Sequence, residues 1–212
     1  MCVVWSVTKS GRSARRRTRT FPSDKTDDPN YGSVWTWTCI DADTKLIPSW
    51  LVGDRSTEDC YDFLRDLRSR IRVGNRIQLT TDGFGSYQPV VWGLWGNKID
   101  YAIVVKEYKG ATGEEARRYS PASCSSIQKH KISGKPDEAL VSTSYVERQN
   151  LTMRMSVRRF TRLTDAHNKR IEQHAAAVAL HFMYYNFVRP HETLGKRVTP
   201  AMAAGIETHP GP

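Results

Sequence analysis

Two carboxylates in this sequence stand where acidic side chains could hold a metal ion against phosphate. Asp82 ends a hydrophobic, strand-like run and is followed by Gly83. Open sheets bind ligands outside the carboxyl ends of their strands, and glycine allows close approach of the backbone there. Glu147 begins a basic helix, and Asn150 and Arg154, three and seven residues further on, share its face. Such oxygen ligands suit Mg²⁺, and two such ions can stabilise the attacking and leaving oxygens of a phosphodiester.

Each carboxylate also has an ordinary structural explanation. An Asp-Gly pair after a strand commonly forms a turn. A glutamate in the first turn of a helix complements the helix dipole. Residue types and positions alone therefore leave two interpretations, which are metal-dependent phosphodiester chemistry and local stabilisation of a turn and a helix.

The charge of the chain favours a polyanionic partner. Thirty-two Lys and Arg against 22 Asp and Glu give a formal net charge of +10. Residues 1–20 contain six basic residues and no acid, and residues 147–170 contain seven basic residues against Glu147 and Asp165. Arginine dominates both clusters, and its planar guanidinium suits phosphate. Two clusters and this net charge favour nucleic acid over a merely solvated basic face.

The elements that must position these residues follow an α/β pattern. Strands are predicted over residues 2–7, 33–40, 45–52, 76–80 and 101–105, the second and third forming a hairpin. Helices are predicted after the N-cap Ser56, over 144 to about 159 and over about 165–186, whereas 84–95 is weakly helical at best. Residues 107–140 lose periodicity and are expected to form a long surface insertion. This order predicts a mixed central sheet flanked by helices.

Composition narrows the class of protein further. No stretch approaches the ~20 apolar residues that a membrane span needs. Residues 1–7 are too short for a signal peptide, and positive charge follows the apolar residues instead of preceding them. The four cysteines form no CxxC pair, and Cys39 and Cys60 are expected to be buried and reduced. We expect a soluble cytoplasmic protein without a membrane partner.

Longer motifs surround both carboxylates. They are Thr80-Thr81-Asp82-Gly83, Tyr145-Val146-Glu147-Arg148-Gln149-Asn150, Arg158-Arg159-Phe160-Thr161-Arg162-Leu163-Thr164, the segment 179–187 and the segment 199–205. Together they resemble the DDE transposases of bacterial insertion sequences, IS-one type, over about residues 30–205. The resemblance implies a ribonuclease-H-like fold and two Mg²⁺ (or Mn²⁺) ions. It also implies cleavage and joining of DNA, in which water and then a 3′-hydroxyl attacks phosphorus.

The resemblance also implies roles for individual residues and for partners. Asp82 and Glu147 would be catalytic metal ligands, with catalysis by positioning and charge neutralisation. The expected DNA-binding residues are Arg148, Asn150, Arg154, Arg158, Arg159 and Arg162. The partners would be insertion-sequence ends and target DNA, a homodimer is a family expectation, and the protein would associate with the nucleoid. The expected division is residues 1–32 (partial first strand and basic loop), 33–188 (catalytic domain with the 107–140 insertion) and 189–212 (tail).

One departure from the family pattern bears on activity. Cys2-Val3-Val4-Trp5 stands where the family has its first aspartate in an Asp-Glu-aliphatic-Trp segment. A thiol is a poor substitute for a carboxylate on Mg²⁺, and Asp41 is either a substitute ligand or a turn residue. The sequence starts at this segment, so we also expect the upstream DNA-binding region that such transposases usually carry to be missing. We therefore predict a truncated or decayed catalytic domain that is inactive as written, with a non-catalytic DNA-binding remnant as the alternative.

Overall fold

A six-stranded mixed sheet dominates the part of the chain that the computed structural model describes. That part is residues 2–10, 34–72, 74–109, 123–157 and 171–211, with 2–10, 108, 109 and 123 described by their backbone alone. The strands are β1 (Cys2–Ser10), β2 (Val34–Asp41), β3 (Trp50–Gly53), β4 (Ile77–Asp82), β5 (Ile99–Lys109) and β6 (Ser123–Ser133). Their order across the sheet is β3-β2-β1-β4-β5-β6. The pairs β1–β4 and β4–β5 are parallel, and the other neighbours are antiparallel.

Helices cover both faces of this sheet. They are α1 (Thr57–Arg70), α2 (Tyr87–Trp95), α3 (Ser144–Ser156), α4 (Ile171–Met183) and α5 (Pro200–Ala203), with a π-helical segment at Tyr184–Val188 and a 3-10 turn at Glu192–Leu194. None of the helices in the described ranges is long and apolar enough to cross a membrane. The predicted mixed α/β architecture is therefore confirmed.

Helix α1 confirms the strongest helix prediction. Its N-cap Ser56 accepts a hydrogen bond at Oγ from the backbone N–H of Asp59, at 3.0 Å. Acidic residues in the first turn complement the helix dipole. The residues that the helix buries follow the helical apolar spacing, and they are Cys60, Phe63, Leu64 and Leu67. The helix therefore packs as its sequence pattern requires.

The face of the sheet under α1 and α2 holds the larger core. Trp37 is fully buried there, and its ring meets Phe63, Phe84 and Tyr87 at centroid distances of 5.7, 5.8 and 5.9 Å. Leu79 from β4 completes the contact between sheet and helices. We call this set of buried side chains the first core.

The opposite face holds a second core, which α3 and α4 cover. Its members are Ile40, Ala42, Ile47, Val146, Met153, Val178, Phe182 and Tyr185. Asn186, in the π-helical segment, locks this layer to the loop after β2. Its Nδ2 donates to the carbonyl of Ile47, and its Oδ1 accepts from the N–H of Ile47, each at 2.9 Å. Residues 139 positions apart are thus joined by a paired hydrogen bond.

Helix α2 is a regular helix, so the prediction that residues 84–95 are weakly helical at best was wrong. Tyr87, Val90, Val91 and Leu94 are all buried, at the i, i+3, i+4, i+7 spacing of one helical face. Gly93 is exposed on the other side. A glycine in a helix costs only about 1 kcal/mol, and burial of four side chains outweighs it.

Strand β3 is shorter than the predicted strand over 45–52. The chain turns at Lys45, whose φ of 61° is in the left-handed region. Pro48 has no N–H to give to a strand ladder. Only Trp50–Gly53 pairs with β2, so the predicted hairpin is present with one short arm.

The segment 107–140 is not a structureless insertion throughout. Ser123–Ser133 forms the edge strand β6, which pairs antiparallel with β5. Its described side chains are exposed or half-buried, so no alternation of apolar and polar residues reveals the strand. Residues 110–122 lie outside the described part of the chain.

Candidate functional site

Asp82 is the last residue of β4, at the carboxyl end of a strand in the interior of the sheet. Its Oδ1 accepts a hydrogen bond from the N–H of Phe84 at 3.1 Å, which closes the turn through Gly83. Burial raises the pKa of this carboxyl above its usual range, and the Phe84 N–H and the positive charge of Arg55 only partly oppose that rise. A carboxyl whose pKa burial raises is a candidate functional group, but the direction alone does not assign a role, because burial also raises the pKa of Asp41 at the end of β2.

Arg55 is a component of this site that its sequence pattern did not indicate. It lies in the loop between β3 and α1, and its guanidinium carbon is 4.4 Å from the ring centre of Phe84 and 5.0 Å from that of Trp35. Stacking on two rings orients the guanidinium, because a planar cation is attracted to aromatic faces. No carboxylate in the described part of the chain forms an ion pair with it. Arg55 can therefore offer hydrogen bonds to an anion beside Asp82.

Glu147 lies in the first turn of α3, as predicted. Its Oε1 accepts a hydrogen bond from Thr143 Oγ1 at 2.9 Å and pairs with Lys106 Nζ. Lys106 belongs to β5, two residues beyond Val104, which is the register partner of Asp82. The ion pair therefore brings Glu147 to the same end of the sheet as Asp82. Strand spacing and rise place the backbone of Lys106 about 8 Å from that of Asp82.

Lys106 also limits what Glu147 can do. Its side chain is largely buried, with 20% of it exposed, and its ammonium occupies one oxygen of the glutamate. A cation bound to that oxygen would have to displace the ammonium or share the oxygen with it. A lysine beyond the predicted strand 101–105 carried no signal of this role in the sequence.

The register of β1 places Cys2 away from Asp82. Cys2, Val3 and Val4 pair with Gln78, Leu79 and Thr80 in turn. Gln78 lies four positions before Asp82 in β4, or about 13 Å at the rise of a strand. Continued two residues further, the same register brings the backbone of Ser6 level with Asp82.

Asp41 is a turn residue. Its carboxylate accepts hydrogen bonds from Thr44 Oγ1 at 2.8 Å and from the N–H of Asp43 at 3.4 Å. Its register partner on β1 is Val3, which faces Leu79 on the other side. Asp41 is thus on the second strand from β4, at the level of Leu79, which is three residues before Asp82. Of the two interpretations of Asp41, the turn is the one that its contacts support.

The other predicted site residues separate into two groups. Arg148 and Arg154 are exposed on α3, whereas Asn150 is buried against the sheet. The helix therefore presents the two arginines to solvent and turns the asparagine inward. The remaining predicted DNA-binding residues, Arg158, Arg159 and Arg162, lie outside the described ranges.

Two carboxylates alone do not make a two-ion metal centre. In the described ranges, no three residues among His, Cys, Asp and Glu lie together in a way that could hold a metal ion. The third carboxylate that the resemblance implies has no counterpart beside Asp82 and Glu147 in those ranges. The donors in the described part of the chain therefore do not fit the expected pair of Mg²⁺ or Mn²⁺ ions.

Comparisons with known proteins give little beyond this geometry. No family model matches the chain, and no curated protein matches it. Among solved structures, it is similar to a piggyBac transposase, described as a synaptic complex with hairpin DNA, at 10% identity and a TM-score of 0.38. That similarity covers 95% of this chain, which spans about half (50%) of the length of the other. A likeness this weak does not bear on the site.

Proposed function

We propose that this chain is a transposase-type DDE catalytic domain that acts on DNA, built on a ribonuclease-H-like fold. The observation that carries the proposal is the convergence of Asp82 and Glu147, from β4 and α3, at one end of a mixed sheet. The motifs around both residues resemble the IS-one type of bacterial insertion-sequence transposase. The mixed sheet with helices on both faces is compatible with that fold.

The chemistry open to these residues is the binding and positioning of phosphate. Arg55 supplies positive charge beside Asp82, and Arg148 and Arg154 are exposed on α3, the helix that carries Glu147. Guanidinium groups bind phosphate oxygens in pairs of parallel hydrogen bonds. The chain's own residues would hold and orient the DNA through these contacts.

Cleavage is proposed to be crippled in this chain. Glu147 is engaged by Lys106 and Thr143, and the described residues lack a third carboxylate at the site. A chain with this ligand set binds metal weakly, because Mg²⁺ depends on several oxygen donors.

A non-catalytic DNA-binding remnant is the second candidate. The observation that favours it is the Lys106–Glu147 ion pair, in which a lysine ammonium neutralises the expected metal ligand. This candidate predicts salt-sensitive DNA binding without cleavage, since release of counterions drives binding to the phosphate backbone.

Nicking of supercoiled plasmid in Mg²⁺ or Mn²⁺ tests the proposal. The unmodified chain is compared with Cys2→Asp, Ser6→Asp and Glu147→Gln. Cys2→Asp restores the carboxylate where the sequence motif has it, and Ser6→Asp supplies one at the register level of Asp82. We expect little nicking by the unmodified chain and nicking by one aspartate variant, lost again when Glu147→Gln is added.

The outcomes separate the candidates. Nicking by Ser6→Asp alone would support the observed register, and nicking by Cys2→Asp alone would support the motif alignment. Absence of nicking by every variant, with all of them folded and binding DNA, would favour the non-catalytic DNA-binding remnant. Efficient nicking by the unmodified chain that survives Glu147→Gln would refute the proposed site.

A further inference from the structure

A basic cavity lies at the end of the sheet opposite Asp82. Its volume is about 440 Å³, and its walls come from the end of α1, the loop that follows, the end of α2 and the residue before β5. The residues that bear on the argument are Arg68, Arg72, Asn75, Arg76, Trp95 and Lys98. The strand β4, which separates the two ends, is about 17 Å long at the usual rise.

Three of the four cations in this cavity are available for a ligand. Arg76 is committed to Asp100, with Nε and Nη2 at 2.9 and 2.8 Å from its carboxylate oxygens. Arg68, Arg72 and Lys98 are exposed, and no described carboxylate forms an ion pair with any of them. No acid lines the cavity within the described part of the chain. Within the described ranges, the cavity therefore carries three positive charges that no carboxylate pairs with.

Complementing the helix dipole does not account for this cluster. Arg68, in the last turn of α1, is placed for that purpose. Arg72 and Lys98, however, lie beyond the ends of α1 and α2 and come from different segments. Backbone hydrogen bonds hold both segments, since Asn75 donates its N–H to the carbonyl of Arg72 and Lys98 donates its N–H to the carbonyl of Trp95. The backbone of the two segments therefore holds these cations around one cavity, an arrangement that suits an anion.

We propose that this cavity binds a backbone phosphate of duplex DNA, as a second contact remote from the Asp82 end. The inference rests on the proposed action on DNA, but not on cleavage. A phosphodiester fits the volume, and guanidinium and ammonium groups can donate to its two non-bridging oxygens, which share one negative charge. The asparagine side chain adds a neutral hydrogen-bond donor of the kind that commonly contacts phosphate.

The test is the salt dependence of DNA binding in EDTA, where no metal-dependent cleavage occurs. The probe is a fluorescein-labelled duplex, measured by anisotropy between about 50 and 200 mM salt. The test variant is Arg72→Gln/Lys98→Gln. The matched control, Arg65→Gln/Arg70→Gln, also removes two positive charges. Both are on α1 outside the cavity, where Arg65 pairs with Asp62 and Arg70 pairs with Asp66.

The expected result is specific to the cavity variant. Loss of one phosphate contact lowers the slope of log K against log salt by about 0.9, so the fall in affinity across that salt range becomes about 3.5-fold smaller. The control is expected to keep the slope of the unmodified chain. Circular dichroism checks that both variants are folded.

Three results would overturn the inference. Equal losses in both double variants would mean that only overall charge matters. Unchanged DNA binding by Arg72→Gln/Lys98→Gln, with weakened binding of inorganic phosphate, would indicate a small-anion site instead. Absence of DNA binding by the unmodified chain would refute the action on DNA together with this contact, whereas absent nicking with specific loss of slope would refute only the cleavage.

Discussion

The paired hydrogen bonds between Asn186 and Ile47 predict a large loss of stability in Asn186→Ala. The N–H of Ile47 donates to the Asn186 side chain and the carbonyl of Ile47 accepts from it, each at 2.9 Å, and Ile47 is only 3% exposed. Removing the amide leaves a buried N–H and a buried carbonyl without these partners. Each such group costs about 1–3 kcal/mol, so we expect the free energy of unfolding to fall by about 3 kcal/mol.

Urea denaturation followed by circular dichroism measures that change. For a chain of this size each kcal/mol lowers Tm by about 2–4 °C, so the melting point should fall by about 6–12 °C. The control is Asn97→Ala, at an exposed asparagine, which should change stability by no more than about 0.5 kcal/mol. A loss below about 1 kcal/mol in Asn186→Ala, with the slope against urea unchanged, would refute the reasoning.

Three further predictions follow from particular groups. Asp82→Asn should raise the free energy of unfolding at neutral pH, because the raised pKa of Asp82 means that its ionised carboxylate destabilises the fold. This gain should vanish below about pH 4, where the carboxyl is protonated in both the folded and the unfolded chain. Gly134→Ala should destabilise the protein by more than about 1 kcal/mol in urea denaturation, because φ is +68° there and an added Cβ would collide with Asp100. Under native conditions iodoacetamide should label the exposed Cys124 and spare Cys60, because burial raises the pKa of Cys60 to about 12. Peptide mass mapping distinguishes the two cysteines, and rapid labelling of Cys60 would contradict its burial.

Local patterns were sufficient for the elements that bury one clear apolar stripe. Helix α1 has such a stripe, and the placement of Asp82 at a strand end followed from the hydrophobic run before it. Strand β2 is buried on both faces, and its β-branched and aromatic residues were sufficient to predict it. Helix α2 was missed because Gly85 before it and Gly93 within it weaken helix propensity, whereas burial in the first core decides the outcome. Strand β6 was missed because an edge strand with exposed side chains has no apolar face to detect.

The candidate site depends on pairings that the sequence does not display. Lys106 meets Glu147 across 41 positions, and the alignment of β1 with β4 joins residues 76 positions apart. Neither Lys106, beyond its predicted strand, nor Ser6, within its strand, has a local sequence pattern that indicates these contacts. Residue type suggested the two carboxylates, but only the strand register shows that Cys2 and Asp41 lie away from Asp82.

The two cores on opposite faces of the sheet also imply an order of folding during synthesis at the ribosome. Every member of the first core lies within residues 37–103, so that face can close while the chain is still growing. The second core needs Val146 through Tyr185, and at about 5–20 residues per second the last of these emerges about 4–16 s after residue 103. During that interval Ile40 and Ile47 have no covering helix, and the nascent sheet presents an apolar face to chaperones.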